Sequence, residues 1–250
     1  MRILVVNANT SDIVTEKVAA QARASAAPGT EIVAVTGTFG ARVIGTRAEH
    51  AIGEHSALAL VARHATDCDA VVIAVSYDTG LRAARELLSI PVVGMTEAGL
   101  LTACMLGGRI GVVTFGQRVL PLYHELVTSY GLSERIAGWR TLESTAAYQR
   151  GAHDELDREL VAAARDLIER DGAETVVLTG AVMAGVPARI QQDVPVPLID
   201  CMACAVRQAE LLHRLGCPKP TAGSYALPAG RELVAVDADT AAAFARASQR

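Results

Sequence analysis

Aromatic side chains are scarce in this chain, at 4% with a single Trp and three Phe, and no apolar run exceeds six residues. A bilayer span needs roughly 18–20 consecutive apolar residues, so no membrane segment is expected. Nor does Met1 lead into a basic stretch, an apolar stretch and a small-residue cleavage site; no signal peptide is read, and a cytoplasmic location is expected. Charge of one sign is missing as well. The formal net charge is −4, and Lys and Arg fall in ones and twos, leaving no continuous basic face to follow a phosphate backbone. Nucleic acid and membrane are thereby excluded as partners, and a small-molecule substrate, uncharged or anionic, is left. What the chain has in quantity is small aliphatic residues, within a hydrophobic fraction of 51%, enough for one large core or two small ones.

Cysteines number five, Cys68, Cys104, Cys201, Cys204 and Cys217, an odd set that argues against a disulfide framework in a reducing compartment. Cys201 and Cys204 form a C-x-x-C, but no second pair and no His pair at zinc spacing accompanies it, so no metal site is expected.

Short β-rich runs alternate with helical stretches of ten to twenty residues. The strand candidates are Arg2–Val6, Glu31–Val35, Ala70–Val75, Val92–Gly94, Arg109–Thr114, Thr175–Thr179 and Leu198–Asp200. They are continuous apolar runs, as suits strands covered on both faces. Helical spacing marks Ser11–Ala26, Glu54–Ala65, Leu81–Leu88, Leu120–Tyr130, His153–Asp171 and Cys201–Leu215. Strand then helix, repeated, predicts parallel sheets. The chain also repeats itself: Arg2–Asn7 resembles Arg109–Thr114, Val71–Ser76 resembles Thr175–Gly180, and Ile90–Gly94 resembles Val196–Asp200, at offsets of 107, 104 and 106 residues. The expected fold is α/β, with two pseudo-symmetric lobes of parallel sheet flanked by helices and a cleft between them. The first lobe covers residues 1–108 and the second 109–216, with the tail 217–250 packing back on the first. Two such lobes place the carboxyl ends of their strands around one cleft, where equivalent loops supply groups from opposite sides.

Those strand ends hold the candidate site residues. Asn7, Asn9 and Thr10 follow the first strand and either cap the next helix or form a polar wall for a ligand. Ser76, Tyr77, Asp78, Thr79 and Gly80 follow the third, where backbone N–H groups at a helix start form an anion seat and Asp78 caps that helix. Thr114 closes the first strand of the second lobe, and Gly180 and Ala181 lie in a small glycine-bearing loop after Thr179.

The opening V-N-A-N-T, the D-T-G at Asp78–Gly80, the P-V-V-G-x-x-E-A at Pro91–Ala98, the G-R-x-x-V-V-T at Gly108–Thr114 and the D-G-A-E-x-V-V-L at Asp171–Leu178 run in order along nearly the whole chain. Together they resemble the hydantoin racemase branch of the aspartate/glutamate racemase superfamily. The resemblance implies two pseudo-symmetric lobes and cofactor-independent proton transfer beside a carbonyl by two cysteines, one per lobe. It also implies a homo-oligomer, with no stripe in the sequence that sets its size. The two cysteine positions correspond here to Ser76 and Gly180, so both thiols are absent. An alkyl hydroxyl lies many pKa units above a thiol, and a glycine has nothing to titrate.

Replacement chemistry then has few candidates. Cys201, at the end of a predicted strand, either reaches the cleft floor or packs beneath the site. Tyr123 resembles a tyrosine that decarboxylase and isomerase relatives use to hold a carboxylate; at helix spacing only one of Tyr123 and His124 faces the cleft. Arg42 and Arg47, with Gly45 where relatives have an acid, suggest a substrate more negative than a hydantoin; His50 and His55 lie in the same stretch. The functional expectation is a racemase-like enzyme acting on a small carboxylate or cyclic ureide through a carbanion or enolate. The alternatives are a decarboxylase, lyase or hydrolase using the same oxyanion-binding cleft, and a ligand-binding protein without catalysis.

Overall fold

The computed structural model describes residues 1–143, 153–228 and 233–247. Two four-stranded parallel sheets carry the chain. The first contains β1 (Arg2–Asn7), β2 (Glu31–Thr36), β3 (Ala70–Ile73) and β4 (Val92–Gly94) in the order β2-β1-β3-β4. The second contains β5 (Ile110–Phe115), β6 (Ile136–Leu142), β7 (Thr175–Leu178) and β8 (Leu198–Asp200) in the order β6-β5-β7-β8. The same order in both halves bears out the two-lobed expectation. Central strands β1, β3, β5 and β7 are nearly all buried because helices cover both faces, which is why their residues run as Val, Ile and Leu without alternation. Strand β6 is absent from the expected set. It lies at a sheet edge and is half-buried throughout, so its I-A-G-W-R-T-L carries no continuous apolar run.

Strand register corrects one of the three repeat offsets. Ile3 pairs with Ala70 and its counterpart Ile110 pairs with Thr175, so the third strands are related by 105 residues and not 104. The residue that corresponds to Ser76 in the second lobe is therefore Ala181, one past Gly180.

Helices α1 (Asp12–Ser25), α2 (Arg47–His64), α3 (Leu81–Leu87) and α4 (Met95–Leu106) belong by sequence to the first lobe. Helices α5 (Leu120–Ser129), α6 (His153–Asp171), α7 (Val186–Ile190) and α8 (Cys201–Leu215) belong to the second, and α9 (Ala238–Ala247) follows. Helix α2 starts seven residues before the expected Glu54. Thr46 caps it by accepting the Glu49 N–H at 3.2 Å while Glu49 takes the Gly45 N–H at 2.8 Å, and this T-x-x-E pattern was there to be read.

The lobes exchange their last helices. α8 packs on β3, β4 and α1 of the first lobe, and α4 packs on β7 and β8 of the second as well as on α8. Gly99 of α4 makes the crossing possible, since a Cβ there would lie 2.6 Å from Cys201 Sγ. Gln208 Nε2 then donates to Ala98 O and Thr102 Oγ1, both at 2.9 Å. One apolar core consequently runs through both sheets, and a boundary at residue 108 separates sheets but not packing units. From the described part of the tail, Lys219 donates to Glu86 O at 2.8 Å and Ala243 of α9 is set against Ala62 and Leu87.

Candidate active site

A cavity of about 90 Å³ lies between the carboxyl ends of the two sheets. Asn9 reaches it from the loop after β1, Ser76 and Tyr77 from the loop after β3, Thr114 from β5, Gly180 and Ala181 from the loop after β7, and Tyr123 from α5. Apolar walls are added by Val14, Val43, Ile44, Phe115, Val119 and Val182. Among the described residues the lining contains no Cys, His, Asp, Glu, Lys or Arg. Its titratable groups are two tyrosines.

The polar groups in this cavity hold one another across the lobes. The backbone N–H of Ala181 donates to Ser76 Oγ at 2.8 Å, which leaves the serine its own proton to give. The buried Tyr123 hydroxyl bonds with the side chains of Thr114, Thr179 and Ser76. Thr179 in turn donates to Val113 O at 3.0 Å, so its oxygen faces Tyr123 as an acceptor. Burial pushes the Tyr123 phenol up to about 12 although the Thr114 and Ser76 hydroxyls, as donors, pull it down. The site is thus a set of neutral donors in a dry place, suited to stabilise a negative charge that develops on a ligand oxygen. Gly180 has φ +125°, a conformation that disfavours a side chain.

Asn9 lines the cavity; its Oδ1 accepts from Asn7 Nδ2 at 3.0 Å and from Ser11 N at 2.9 Å, so it offers N–H donors. Asn7 is fully buried and its amide is spent on Asn9, Ser11 O and Thr15 Oγ1, a structural role only. Thr10 pins the neighbouring loop through its N–H to Ala41 O and does not line the cavity. Thr79 and Gly80 do not line it either. Thr79 Oγ1 pairs with His50 Nδ1 at 3.1 Å, and Gly80 backs onto α2, where a Cβ would meet Ala57 at 2.7 Å. The anion seat expected at the start of α3 therefore faces a helix, not the cavity.

Of the two places open to Cys201, the structure gives the one beneath the site. Cys201 is the first residue of α8, buried under the site with Sγ 3.5 Å from Leu178 O, and burial raises its thiol well above the ordinary range. Of Tyr123 and His124, the tyrosine faces the cavity and the histidine ring lies 4.8 Å from Trp139. Arg42 is exposed and outside the cavity, and Arg47 pairs with Glu125, so neither arginine bears on substrate charge. His55 stacks edgewise on Phe39. His50 lies 6.2 Å from the Tyr77 ring, and burial holds its pKa down.

Asp78 does not cap α3. Its carboxylate accepts from Thr96 N at 3.0 Å and Glu97 N at 2.8 Å in the first turn of α4, where Gly94 has no side chain to cap with. It also accepts from the Tyr130 hydroxyl at 2.6 Å. In the second lobe the cap comes from Asp200, which accepts from Met202 N, Ala203 N and Gly185 N. The same carboxylate task is thus done by the loop in one lobe and by the strand end in the other.

Among the described residues no group of three or more His, Cys, Asp or Glu could hold a metal ion, and no helix is long and apolar enough to cross a membrane. The Asp/Glu/Hydantoin racemase family model matches residues 3–209. A hydantoin racemase from Paenarthrobacter aurescens is 34% identical over 237 residues, 94% of this chain and 100% of that protein. Among solved structures, an allantoin racemase from Pseudomonas fluorescens superposes with a TM-score of 0.89 at 36% identity, covering 94% of this chain and 100% of that one. An allantoin racemase from Klebsiella pneumoniae gives 0.86 at 34% identity, covering 94% and 96%. With the doubled sheet order, the inter-lobe cavity and these matches in agreement, the chain belongs to the Asp/Glu/hydantoin racemase family.

Proposed function

We propose that this racemase-family chain is a cofactor-independent enzyme that binds a small carboxylate or cyclic ureide between its lobes and forms an enolate beside the carbonyl, using hydroxyl and amide donors where its relatives use two thiols. The observation that carries this reading is the Ser76, Tyr123 and Ala181 N–H cluster, set in a cavity whose described lining has no charged side chain.

An enolate can arise by loss of a proton or by loss of carbon dioxide, and the lining favours the second. Tyr123 sits at about 12, so ionising it at neutral pH costs roughly 7 kcal/mol, a factor of about 10⁵ against its use as a base. As an acid it is fully protonated and ready. For a substrate that carries a carboxylate on the carbon beside the carbonyl, no base is required. The bond to the carboxylate breaks, carbon dioxide leaves, and the electron pair passes into the enolate, whose oxygen is held by Ser76, Tyr123 or the Asn9 amide. Tyr123 gives its proton to the carbon and recovers one from water. The apolar walls at Val43, Ile44 and Val119 keep the departing carboxylate from water, which favours its loss.

The test is a panel of neutral cyclic ureides, their carboxyl-substituted forms and 2-substituted 3-oxo acids, assayed for carbon dioxide release. Release from the carboxyl-bearing members is the expected result. Binding of the panel without any turnover supports the non-catalytic alternative and overturns the proposal.

A further inference from the structure

Helix α5 belongs to the second lobe by sequence, yet Leu122 and Tyr123 sit in the apolar cluster beneath the first sheet. Tyr123 on this helix and Tyr130, its C-terminal cap, are seven residues apart, almost two full turns, so they project from one face. The loop after β3 presents matching partners two residues apart: Ser76 to Tyr123 and Asp78 to Tyr130. We propose that Tyr130 is a positioning residue, whose bond to Asp78 across the lobes sets where the Tyr123 hydroxyl meets Ser76. This rests on the proposed function only in naming Ser76 and Tyr123 as the working pair.

Asp78 is unusually well fixed for this purpose. Its φ of +50° is rare outside glycine, and three donors to the carboxylate hold it there. Thr96, whose N–H donates to that carboxylate, also donates its hydroxyl to Ser76 O at 2.6 Å. Ser76 and Asp78 are therefore fastened to the same turn of α4, and a displacement of one carries the other. On the α5 side, the alternatives to Tyr130 are weaker guides. Apolar packing of Leu122 is non-directional, and the Arg47–Glu125 and Arg82–Ser129 contacts are exposed. The Tyr130–Asp78 bond is short, directional and half-sheltered. The second lobe supplies the contrast, because Asp200 makes all its carboxylate bonds within its own lobe.

Asp78 titrates near neutrality because of burial, so the tie should respond to pH. The groups around it are Tyr130 at the end of α5, Glu97 on α4 with its partner Arg85 on α3, and Cys201 on α8, and a second cavity that Asp78 lines also brings Arg47, His50 and Glu54 of α2, Arg82 of α3 and Glu125 of α5 to that side.

The experiment labels the ring carbon that bears the hydroxyl in all five tyrosines with carbon-13 and assigns each by a Phe variant. The expected Tyr123 signal moves with an inflection near pH 7, set by Asp78 and distinct from the lower titration of His50. In Tyr130→Phe, which keeps the ring packing, the Tyr123 inflection disappears, while the Tyr77 signal keeps one, moved up by about one pH unit as the carboxylate loses a donor. Asp78→Asn abolishes both and decides the matter should the first variant fail to fold. A Tyr123 signal that lacks the inflection in the natural protein, or keeps it in either variant, overturns the proposal. Activity is not needed for this readout, so a failure of the proposed function leaves it standing and its own failure leaves the proposed function untouched.

Discussion

The Ser76 hydroxyl of the first lobe and the Ala181 backbone N–H of the second meet at 2.8 Å in the inter-lobe cavity. Strand register makes these two positions counterparts in the repeat, so the contact lies close to the pseudo-twofold relation between the lobes. Replacing the serine removes the acceptor from a buried N–H. Ser76→Ala should therefore lower the unfolding free energy by about 1–3 kcal/mol, and Ser76→Thr by less. Urea denaturation measures both; equal stability of the Ala variant would mean that the amide finds another partner.

Tyr123→Phe keeps the ring that stacks 4.7 Å from Tyr77 and removes the proton donor. Turnover should fall by roughly 10²–10⁴-fold with KM little changed, the pattern of a group that acts in the transition state. A rise in KM with unchanged kcat would make Tyr123 a binding residue instead.

A cysteine at 180 meets no crowding, with its nearest neighbours beyond 3.5 Å, but it inherits a φ of +125°. Gly180→Cys should accordingly destabilise the fold by about 1–3 kcal/mol through backbone strain, whereas Ser76→Cys should be tolerated. Melting temperatures of the two single variants separate these outcomes. An unaffected Gly180→Cys protein would show that the loop relaxes.

Cys201→Ala should leave turnover unchanged, since the thiol lies under the site and not in it. Gly99→Ala is the informative companion. Its new Cβ would press on Cys201 Sγ at 2.6 Å, and pushing α4 from α8 should cost about 1–3 kcal/mol, partly restored by Cys201→Ala. Lost activity in the Cys201 variant at full stability would return the thiol to the mechanism.

The Asp78 carboxyl, normally at 3.8, is held up at about 7 by burial. The folded protein thus binds this proton more tightly than the unfolded chain does. Its stabilising contribution is full below about pH 4 and is lost as pH rises through about 7. Asp200, raised by the same cause, acts with the same sign. The stability of the natural protein relative to Asp78→Asn should fall by an amount on the order of a few kcal/mol between pH 4 and pH 8. A difference that stays flat across that range would contradict the burial of an ionisable carboxyl here.

Much of this architecture is legible in the residues. Strands β1, β3, β5 and β7 announce themselves as unbroken apolar runs because both of their faces are covered, and their repetition reveals the two lobes. Ser76, Tyr77, Thr114, Gly180 and Ala181 could be picked out because strand ends in such sheets converge on a cleft, whereas Tyr123, on a helix, is singled out by the family resemblance. What local pattern does not carry is partnership at a distance. The exchange of α4 and α8 depends on one close approach, Gly99 to Cys201, between residues a hundred positions apart. Asp78 reads as a cap for the helix that follows it, yet its carboxylate serves a helix two elements later. Thr79 and Gly80 lie in the right loop but turn toward α2, a side that only the fold decides. The seven-residue spacing of Tyr123 and Tyr130 is visible on paper, although its meaning needs the matching pair at 76 and 78.

Whether the enolate forms without a thiol pair is tested most directly by the fate of deuterium in heavy water. With a carboxyl-bearing cyclic ureide, the product should carry one deuterium on the carbon that lost carbon dioxide, and a carboxyl-free cyclic ureide supplied separately should take up none. Deuterium accumulating in carboxyl-free cyclic ureides, without release of carbon dioxide from any substrate, would mean that the cavity holds an effective base and would contradict the role given to Ser76 and Tyr123.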